Sequence, residues 1–326
     1  MKVLDLPNER SLHQTPTPRI GGLAIMGSFF FGLLALGFGG VWPASQDSSL
    51  LMGWSTSTWI AGLTLLLATM SLLDDLTGLP VAVRLGVQIA AACVLAVGAR
   101  LMVSDIDVPL VGTVELGSFS LVGSIVFLVW MANLYNFMDG MDGLAGGMTL
   151  LGGSVLALLA WQGHNEMILT ASLLLAGAAL GFLSHNFPPA RIFMGDVGSV
   201  PIGFLFGSLI LLGVRERLFT IWVPLILFSP FVVDATVTLI RRAFKGERIW
   251  DAHRTHYYQR LVLLGWGHRK TVLAEYGLMI LCGLLAWAYH LAQDQARLVL
   301  LGCWGLLMVL LMVGIHMAER AKTPLK

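Results

Sequence analysis

Long apolar segments separated by short polar loops run through nearly the whole chain. A segment of about 17 to 25 apolar residues is long enough to cross ~30 Å of hydrocarbon as an α-helix. The pattern predicts ten such helices, at approximately residues 20–42, 55–73, 83–103, 119–138, 143–162, 166–185, 198–214, 218–241, 271–293 and 297–317. We therefore expect an all-α polytopic membrane protein that forms a single domain over residues 1–326.

One connection departs from the helical pattern. The segment from Ser104 to Gly117 alternates apolar and polar residues around a Val-Gly pair, which is typical of a short β-hairpin. Its position between two apolar segments predicts a hairpin at the membrane surface.

Composition supports this fold class. Hydrophobic residues make up 56% of the chain and charged residues 12%, against about half and about a quarter in soluble domains. The net charge of +1 points to no acidic or basic partner, and we expect no nucleic-acid partner.

The distribution of Lys and Arg predicts the orientation in the membrane. With both chain ends on the same side, 16 of the 20 basic residues lie on that side. The other side keeps only Arg100, Arg215, Arg217 and Arg297. Because basic residues accumulate in cytoplasmic loops, we expect both ends to be cytoplasmic.

A polar segment, Asn133 to Gly147, lies between two apolar ones on this cytoplasmic side. Asn136, Asp139 and Asp142 are spaced by three within it and separated by glycines. Carboxylates beside lipid are costly to keep there, so they predict a functional site. The alternative is a turn in which Asp and Gly act as caps and helix breakers, which explains one Asp-Gly pair better than a repeated one.

Two further acidic motifs fall on the same side. The adjacent carboxylates of Asp74 and Asp75 repel each other and therefore favour a divalent cation, a proton or a basic partner, for which Arg84 is available. A plain polar turn after a helix is the alternative, although acids at a helix C-terminus oppose its dipole. Asp196 lies between glycines just before a predicted helix, where it could cap that helix or bind a metal.

The longest cytoplasmic loop, about 242–270, contains His253, Arg254 and His256. No Cys or acidic residue is spaced to complete a tetrahedral zinc site with them. Their N–H donors suit phosphate oxygens, whereas the alternative is a basic loop that only fixes topology or contacts anionic lipid. Asp234, inside the eighth predicted helix, is either functional or a structural partner of a nearby arginine.

Clustered acids, phosphate-binding bases and a one-sided location together favour chemistry that joins a phosphorylated cytosolic substrate to a lipid. An ion-coupled transporter is the competing class, but it predicts acids near the midplane and repeated halves. A lipid-binding scaffold would explain the basic loop but not the buried carboxylates.

The motifs resemble those of the polyprenyl-phosphate N-acetylhexosamine-1-phosphate transferases. In chain order they are Pro7-Asn-Glu-Arg-Ser-Leu-His13 with Pro18-Arg-Ile-Gly-Gly22, Asp74-Asp75, Asn136-Phe-Met-Asp-Gly-Met-Asp-Gly143, Phe193-Met-Gly-Asp-Val-Gly-Ser199 and His253-Arg-Thr-His256. The resemblance implies transfer of a sugar 1-phosphate from a UDP-sugar to undecaprenyl phosphate in the bacterial plasma membrane, with release of UMP.

The resemblance also implies residue roles. Asn136 and Asp196 would bind Mg²⁺, with Mn²⁺ as the alternative ion. The catalytic candidates are Asp74, Asp75 and Asp139. The candidates for substrate binding are Arg84, Asp142 (at the uridine), Asn186, His253, Arg254 and His256. A homodimer is a further expectation.

Two departures from the family pattern are visible. The chain begins almost directly on the Pro7 motif, before which members of the family usually have one more helix. The loop at His253 has no tight run of histidines, and it resembles the branch that initiates O-antigen and similar surface polysaccharides more than the branch that uses a muramoyl pentapeptide.

Overall fold

The computed structural model describes residues 4–5, 16–39, 54–248 and 253–322. The helices are α1 (Gly21–Phe38), α2 (Thr56–Thr77), α3 (Val81–Gly98), α4 (Phe119–Met138), α5 (Leu144–Gln162), α6 (Glu166–Asn186), α7 (Asp196–Arg215), α8 (Trp222–Leu227), α9 (Ser229–Phe244), α10 (Tyr257–Leu261), α11 (Gly267–Leu291) and α12 (Asp294–Lys322). A π-helical segment (Val262–Trp266) joins α10 to α11. There are also two short antiparallel pairs: β1 (Leu4–Asp5) with β2 (Thr17–Pro18), and β3 (Asp105–Val108) with β4 (Gly112–Glu115). The whole Pro7–His13 motif and the end of the first predicted helix lie outside the described residues.

The predicted fold class is confirmed. Within the described part of the chain, nine helices are long and apolar enough to cross a membrane. The predicted helix at 119–138 has the bounds of α4, and most other predicted ends lie within a few residues of the observed ones.

The eighth predicted helix, 218–241, is wrong as a continuous element. It is divided into α8 and α9, which meet at Phe228 and Ser229. Pro230 stands in the first turn of α9, and a proline has no N–H to continue the hydrogen-bond ladder of a preceding helix. Hydropathy could not show this break because both halves are apolar.

Helix α3 also ends earlier than predicted, so the connection between α3 and α4 is longer. α3 ends at Gly98 instead of continuing to residue 103, and Arg100 adopts a positive φ of 48°. The following hairpin is confirmed, with Val108 paired to Gly112. The backbone N–H and C=O of Val103 bond to the hydroxyls of Ser124 and Ser120, so the start of α4 holds this segment in place.

Helix α7 is the central element of the fold. Its residues from Val197 to Val214 are all buried, and it packs against α4 and α2. At Gly203 a Cβ atom would lie only 2.3 Å from the Met131 carbonyl oxygen of α4. The absence of a side chain there lets the two helix backbones approach closely.

The N-terminus of α7 is held by the start of α1. Gly21 and Gly22 donate backbone hydrogen bonds to the carbonyl oxygens of Phe193 and Met194, at 2.9 and 2.8 Å. A Cβ on Gly22 would lie 2.3 Å from the Gly198 nitrogen. This glycine contact fixes the first turn of α7, which begins with Asp196.

At the opposite end of the helices, polar contacts join the β3–β4 hairpin to the segment between α7 and α8 and to the start of α8. Arg217 forms a bidentate pair with Asp105 of β3, with N–O distances of 2.5 and 2.8 Å. Trp222 Nε1 donates to the Asp107 carbonyl oxygen at 2.6 Å. The hairpin therefore ties α7 and α8 together far from the acidic motifs.

The close approach at Gly203 is testable. We expect Gly203→Ala to lower the free energy of unfolding by about 1–3 kcal/mol, because the added methyl group meets backbone atoms that cannot rotate away. Gly123→Ala in α4 is the matched control, since no atom lies within 4 Å of a Cβ there. Unfolding by SDS titration in mixed micelles measures both, and equal stability of the two variants would contradict this packing.

Candidate active site

Asp196 at the start of α7 receives polar groups from two other helices. Its Oδ1 accepts a hydrogen bond from Asn136 Nδ2 of α4 at 2.8 Å, and its Oδ2 accepts one from Arg84 Nη1 of α3 at 3.3 Å. The preceding Gly195 has φ 73° and ψ 171°, a conformation that side chains disfavour. Three segments that are distant in sequence therefore meet at one carboxylate.

Arg84 connects Asp196 to the acidic pair of α2. Asp74 Oδ2 lies 3.0 Å from Arg84 Nη1, and Asp74 Oδ1 accepts the Leu79 backbone N–H at 2.7 Å. Asp74 is only 8% exposed, so this cation offsets a charge that water barely reaches. The expectation that Arg84 is the basic partner of the acidic pair is confirmed for Asp74.

Asp75 points elsewhere, toward the first turn of α7. Its Oδ2 accepts the Val197 backbone N–H at 3.3 Å, so it acts at the positive end of that helix dipole. The same oxygen is 3.4 Å from where a Cβ of Gly195 would lie. The two adjacent acids of the motif therefore have separate environments.

Asp139 follows the last turn of α4 and faces the same acids. Loss of hydration and the charges of Asp196 and Asp75 hold the pKa of Asp139 well above its usual value, although a hydrogen bond from the Gly195 backbone acts in the opposite direction. Asp75, Asp139 and Asp196 thus form a repulsive acidic cluster. It is an environment in which a bound cation is stabilising.

A complete metal cage made only by the protein is not present in the described residues. No group of three His, Cys, Asp or Glu side chains there is arranged to hold a metal ion. Both hydrogen bonds of Asn136 use its Nδ2, and none reaches its Oδ1 within the same part of the chain. An amide oxygen and a nearby carboxylate are hard donors of the kind that Mg²⁺ uses together with substrate phosphates.

Asp142 lies in a second polar cluster, in the turn before α5. Its Oδ2 accepts the Ala190 backbone N–H at 3.0 Å, and its Oδ1 is 3.2 Å from His268 Nδ1. Burial acts to raise the pKa of Asp142, but these two partners outweigh burial, so the pKa lies below its usual value. The carboxylate is therefore ionised at neutral pH.

Asn186, a predicted substrate-binding residue, supports this turn. Its Oδ1 accepts the Gly143 N–H at 2.8 Å, and its Nδ2 donates to the Ile192 carbonyl oxygen at 2.8 Å. Both ends of the amide are thus used by the backbone on either side of the turn.

The His253 to His256 segment forms the third cluster. The centroids of the two imidazole rings are 4.8 Å apart. The ring of His256 also stacks on that of Phe137, with a centroid distance of 6.4 Å. In sequence, Phe137 lies between Asn136 and Asp139. His256 is buried, whereas the Arg254 side chain is exposed. Burial and the charges of His256 and Arg242 lower the pKa of His253 to about 4, so His253 is neutral at pH 7.

Asp234 is the residue that holds this third cluster. It accepts the backbone N–H groups of Tyr257 and Tyr258 at 2.9 and 3.1 Å, and it lies 3.1 Å from His256 Nδ1. Of the two readings of Asp234, the structure therefore favours a structural partner, although the partner is a histidine and a helix N-terminus instead of an arginine.

An apolar groove of about 500 Å³ opens beside the first cluster, between α2, α3 and α4. Its walls include Val81, Leu85, Ile89, Ile125 and Val129. Its polar end is formed by Asp74, Arg84, Asn136 and Asp196. The groove thus combines an apolar channel with a charged end.

His268 and Tyr276 are the site neighbours that the sequence did not reveal. His268 Nδ1 contacts Asp142, and the Tyr276 hydroxyl donates to the Gly143 carbonyl oxygen at 2.7 Å. His268 stands beside Arg269 and Lys270, in a segment that the sequence explains equally well as a topology signal. Its partner lies more than a hundred residues earlier, so only the fold shows the pair.

Comparison with known proteins shows the family of the chain. The family model described as glycosyl transferase family 4 matches residues 57–214. A protein of Bacillus subtilis named a probable undecaprenyl-phosphate N-acetylglucosaminyl 1-phosphate transferase is 33% identical over 84% of this chain and 73% of its own length. A decaprenyl-phosphate N-acetylglucosaminephosphotransferase of Mycobacterium tuberculosis is 34% identical over 83% and 71%. A phospho-N-acetylmuramoyl-pentapeptide-transferase of Shouchella clausii is 29% identical over 79% and 78%.

The apolar helices, the clustered site at their ends and these matches define a multi-pass membrane transferase. The chain belongs to glycosyl transferase family 4. The transporter alternative is not favoured, because the relatives are transferases and the clusters lie at one end of the helices.

The contacts of Asp234 with His256 and the start of α10 predict a contribution to stability. Asp234→Ala leaves two backbone N–H groups and His256 without their acceptor, so we expect the free energy of unfolding to fall by about 2–4 kcal/mol. Asp294→Ala, an exposed acid in the first turn of α12, should change it by less than about 0.5 kcal/mol. Thermal unfolding in detergent, followed by tryptophan fluorescence, compares the two, and an unchanged midpoint for Asp234→Ala would refute this role.

Proposed function

We propose that this protein transfers an N-acetylhexosamine 1-phosphate from a UDP-sugar to undecaprenyl phosphate, with release of UMP. The observation that carries this proposal is the apolar groove whose charged end contains Arg84 between Asp74 and Asp196. Such a groove suits an amphiphile with a phosphate head and a long hydrocarbon tail. The printed names of the relatives, which include undecaprenyl and decaprenyl phosphate, support the same acceptor class.

The donor is proposed from the relatives and from the second and third clusters. N-acetylglucosamine appears in the names of the Bacillus and Mycobacterium relatives, which makes it the first candidate sugar. An ionised Asp142 offers an acceptor to the N–H of a uracil ring. The exposed Arg254 and the neighbouring His253 offer donors to the phosphates. The buried His256, whose ring lies 4.8 Å from that of His253, would support this phosphate-binding segment.

Mg²⁺, or Mn²⁺ in its place, is part of the proposal. Asn136 and Asp196 would hold it. The Oδ1 of Asn136, which accepts no hydrogen bond from the described residues, and the repulsion within the acidic cluster support this choice. When bound, the ion supplies charge neutralisation on the pyrophosphate oxygens.

The reaction forms a bond between an oxygen of the lipid phosphate and the phosphorus attached to the sugar. The bond from that phosphorus to the bridging oxygen breaks, and UMP leaves with the electron pair. A phosphate monoester has its second pKa near ~6, so the nucleophile is mostly ionised at neutral pH. Alignment of the nucleophile with the phosphorus, and neutralisation of charge by Arg84, therefore contribute more than a general base.

This chemistry assigns positioning roles to the remaining acids. Asp74 orients Arg84 through their 3.0 Å contact, and Asp75 holds the first turn of α7. Asp139 lies among the reacting groups with a raised pKa, and its carboxyl group could exchange a proton with the acceptor phosphate. Asn186 supports the donor side through Gly143.

The cellular setting follows from the same proposal. The enzyme would lie in the bacterial plasma membrane with its site at the cytoplasmic face, where UDP-sugars are made. Its product would initiate a lipid-linked surface polysaccharide such as O-antigen. Homodimer formation stays a prediction.

The direct test incubates purified protein with undecaprenyl phosphate, Mg²⁺ and a panel of UDP-sugars, and measures UMP. We expect UMP from at least one UDP-N-acetylhexosamine, and nearly complete loss of this turnover in Asp196→Ala. Glu166→Ala, an acid in the first turn of α6, is the matched control and should keep wild-type turnover. No UMP from any sugar, or full activity of Asp196→Ala, would overturn the proposal.

The groove makes a separate prediction about the acceptor. Val129→Trp narrows the apolar channel, so we expect the KM for undecaprenyl phosphate to rise about tenfold while the KM for the UDP-sugar changes little. Leu180→Trp places the same ring on an exposed face of α6 and should leave both constants near wild type. An unchanged acceptor KM in Val129→Trp would place the lipid elsewhere.

A further inference from the structure

The carboxylate of Asp142 is held from two directions by parts of the chain that are far apart in sequence. The Ala190 backbone N–H donates to Oδ2 at 3.0 Å, and His268 Nδ1 lies 3.2 Å from Oδ1. Within this ion pair, the side chain of Asp142 is only 11% exposed and that of His268 only 19%. The pair is therefore oriented and largely shielded from solvent.

Helix α11 also holds the backbone of the same turn. The Tyr276 hydroxyl donates to the Gly143 carbonyl oxygen at 2.7 Å, and Gly143 itself has a φ of 76°. A Cβ on Gly147 would lie 2.0 Å from the Tyr276 ring, so the ring packs directly on the start of α5. His268 and Tyr276 therefore act on the same turn, one through the carboxylate and the other through the backbone.

These contacts leave the carboxylate able to bind a ligand. A carboxylate has about four lone-pair positions, and hydrogen bonds from Ala190, His268 and the backbone N–H of Asp142 itself occupy three of them. Because the pKa of Asp142 is lowered, the remaining lone pair is available as an acceptor at neutral pH. Uracil presents an N3–H donor, whereas cytosine has an acceptor at N3, so a fixed carboxylate here distinguishes the two bases.

We propose that His268 is a positioning residue for the uridine nucleotide, which it aligns by fixing the Asp142 carboxylate. This inference rests on the proposed function, because it assumes that Asp142 meets the nucleotide. Without His268, Oδ1 is free to rotate away from the donor, and binding of the nucleotide weakens. The lipid acceptor, bound beside Arg84, is not affected.

A purely structural role for His268 makes a different prediction. In that case its loss would resemble the loss of the Tyr276 hydroxyl, because both side chains hold the same turn. Both variants would then lower stability in parallel and would change all kinetic constants or none. The two roles therefore differ in whether the effect is confined to the donor nucleotide.

The experiment compares His268→Ala, His268→Asn and Tyr276→Phe in the full-length protein. An asparagine Nδ2 can replace the imidazole Nδ1–H as a donor. The control is His316→Ala, which removes a histidine 3.9 Å from Glu319 on α12. The measurements are the KM for each substrate with UDP-N-acetylglucosamine as donor, kcat, the Kd of UMP, and the thermal unfolding midpoint.

We expect His268→Ala to raise the donor KM and the Kd of UMP about tenfold, the effect of losing one charge-assisted hydrogen bond. The acceptor KM should stay within about twofold, and His268→Asn should recover most of the loss. Tyr276→Phe should lower the unfolding midpoint without this donor effect, and His316→Ala should change neither. Parallel changes in His268→Ala and Tyr276→Phe, or an unchanged donor KM in His268→Ala, would overturn the inference.

The outcomes separate this inference from the proposed function. If wild-type protein releases UMP but His268→Ala keeps the wild-type donor KM, only the role of His268 is refuted. If no UDP-sugar gives UMP, the proposed function fails, and the Kd of UMP then decides whether His268 still orients a nucleotide site.

Discussion

A carboxylate that water barely reaches must have a partner, and this constraint determines the geometry of the site. Asp74 is 8% exposed and is paired with Arg84, which also reaches Asp196. Removing one member of such a pair leaves an uncompensated buried charge, at a cost of about 3–5 kcal/mol. The turn between α2 and α3 and the start of α7 are therefore held together by one guanidinium. The other clusters follow the same rule, with histidines as partners of Asp142 and Asp234.

This electrostatic arrangement requires close packing of the helices behind it. Gly22 and Gly198 let α1 approach the first turn of α7, and Gly203 does the same for α4 deeper in the protein. A side chain at any of these positions would move α7 outward, and Asp196 would move with it. Asn136 lies on α4, so the contact at Gly203 also sets its distance from Asp196. The geometry of the polar site thus depends on the apolar packing of the helices.

The sequence predicted the parts of this fold that depend on local composition. Helix α4 matched its predicted bounds because its apolar pattern ends where Asp139 and Gly140 begin. The break between α8 and α9 was not predicted, because hydropathy averages over a proline whose effect is a missing hydrogen bond. Among site residues, acids beside lipid were conspicuous individually. Arg84 was also predicted as the partner of the Asp74-Asp75 pair. The partners of Asp142 and Asp234 were not predicted, since His268 meets Asp142, and His256 meets Asp234, only after the chain has folded.

The segment from Asn136 to Asp142 belongs to two clusters at once, which gives Asp139 its unusual environment. Asn136 faces Asp196 beside the apolar groove, whereas Asp142 faces His268 on the other side. Asp139 lies between them, where burial raises its pKa and the charges of Asp196 and Asp75 raise it further. The contribution of these two neighbours reflects their repulsion of a further negative charge. Under the proposed function, the incoming phosphates of two substrates would increase that repulsion, so the site would need positive charge beyond Arg84 before both could bind together. The proposed divalent cation would supply this charge, and the remaining coordination positions would be left to the phosphates.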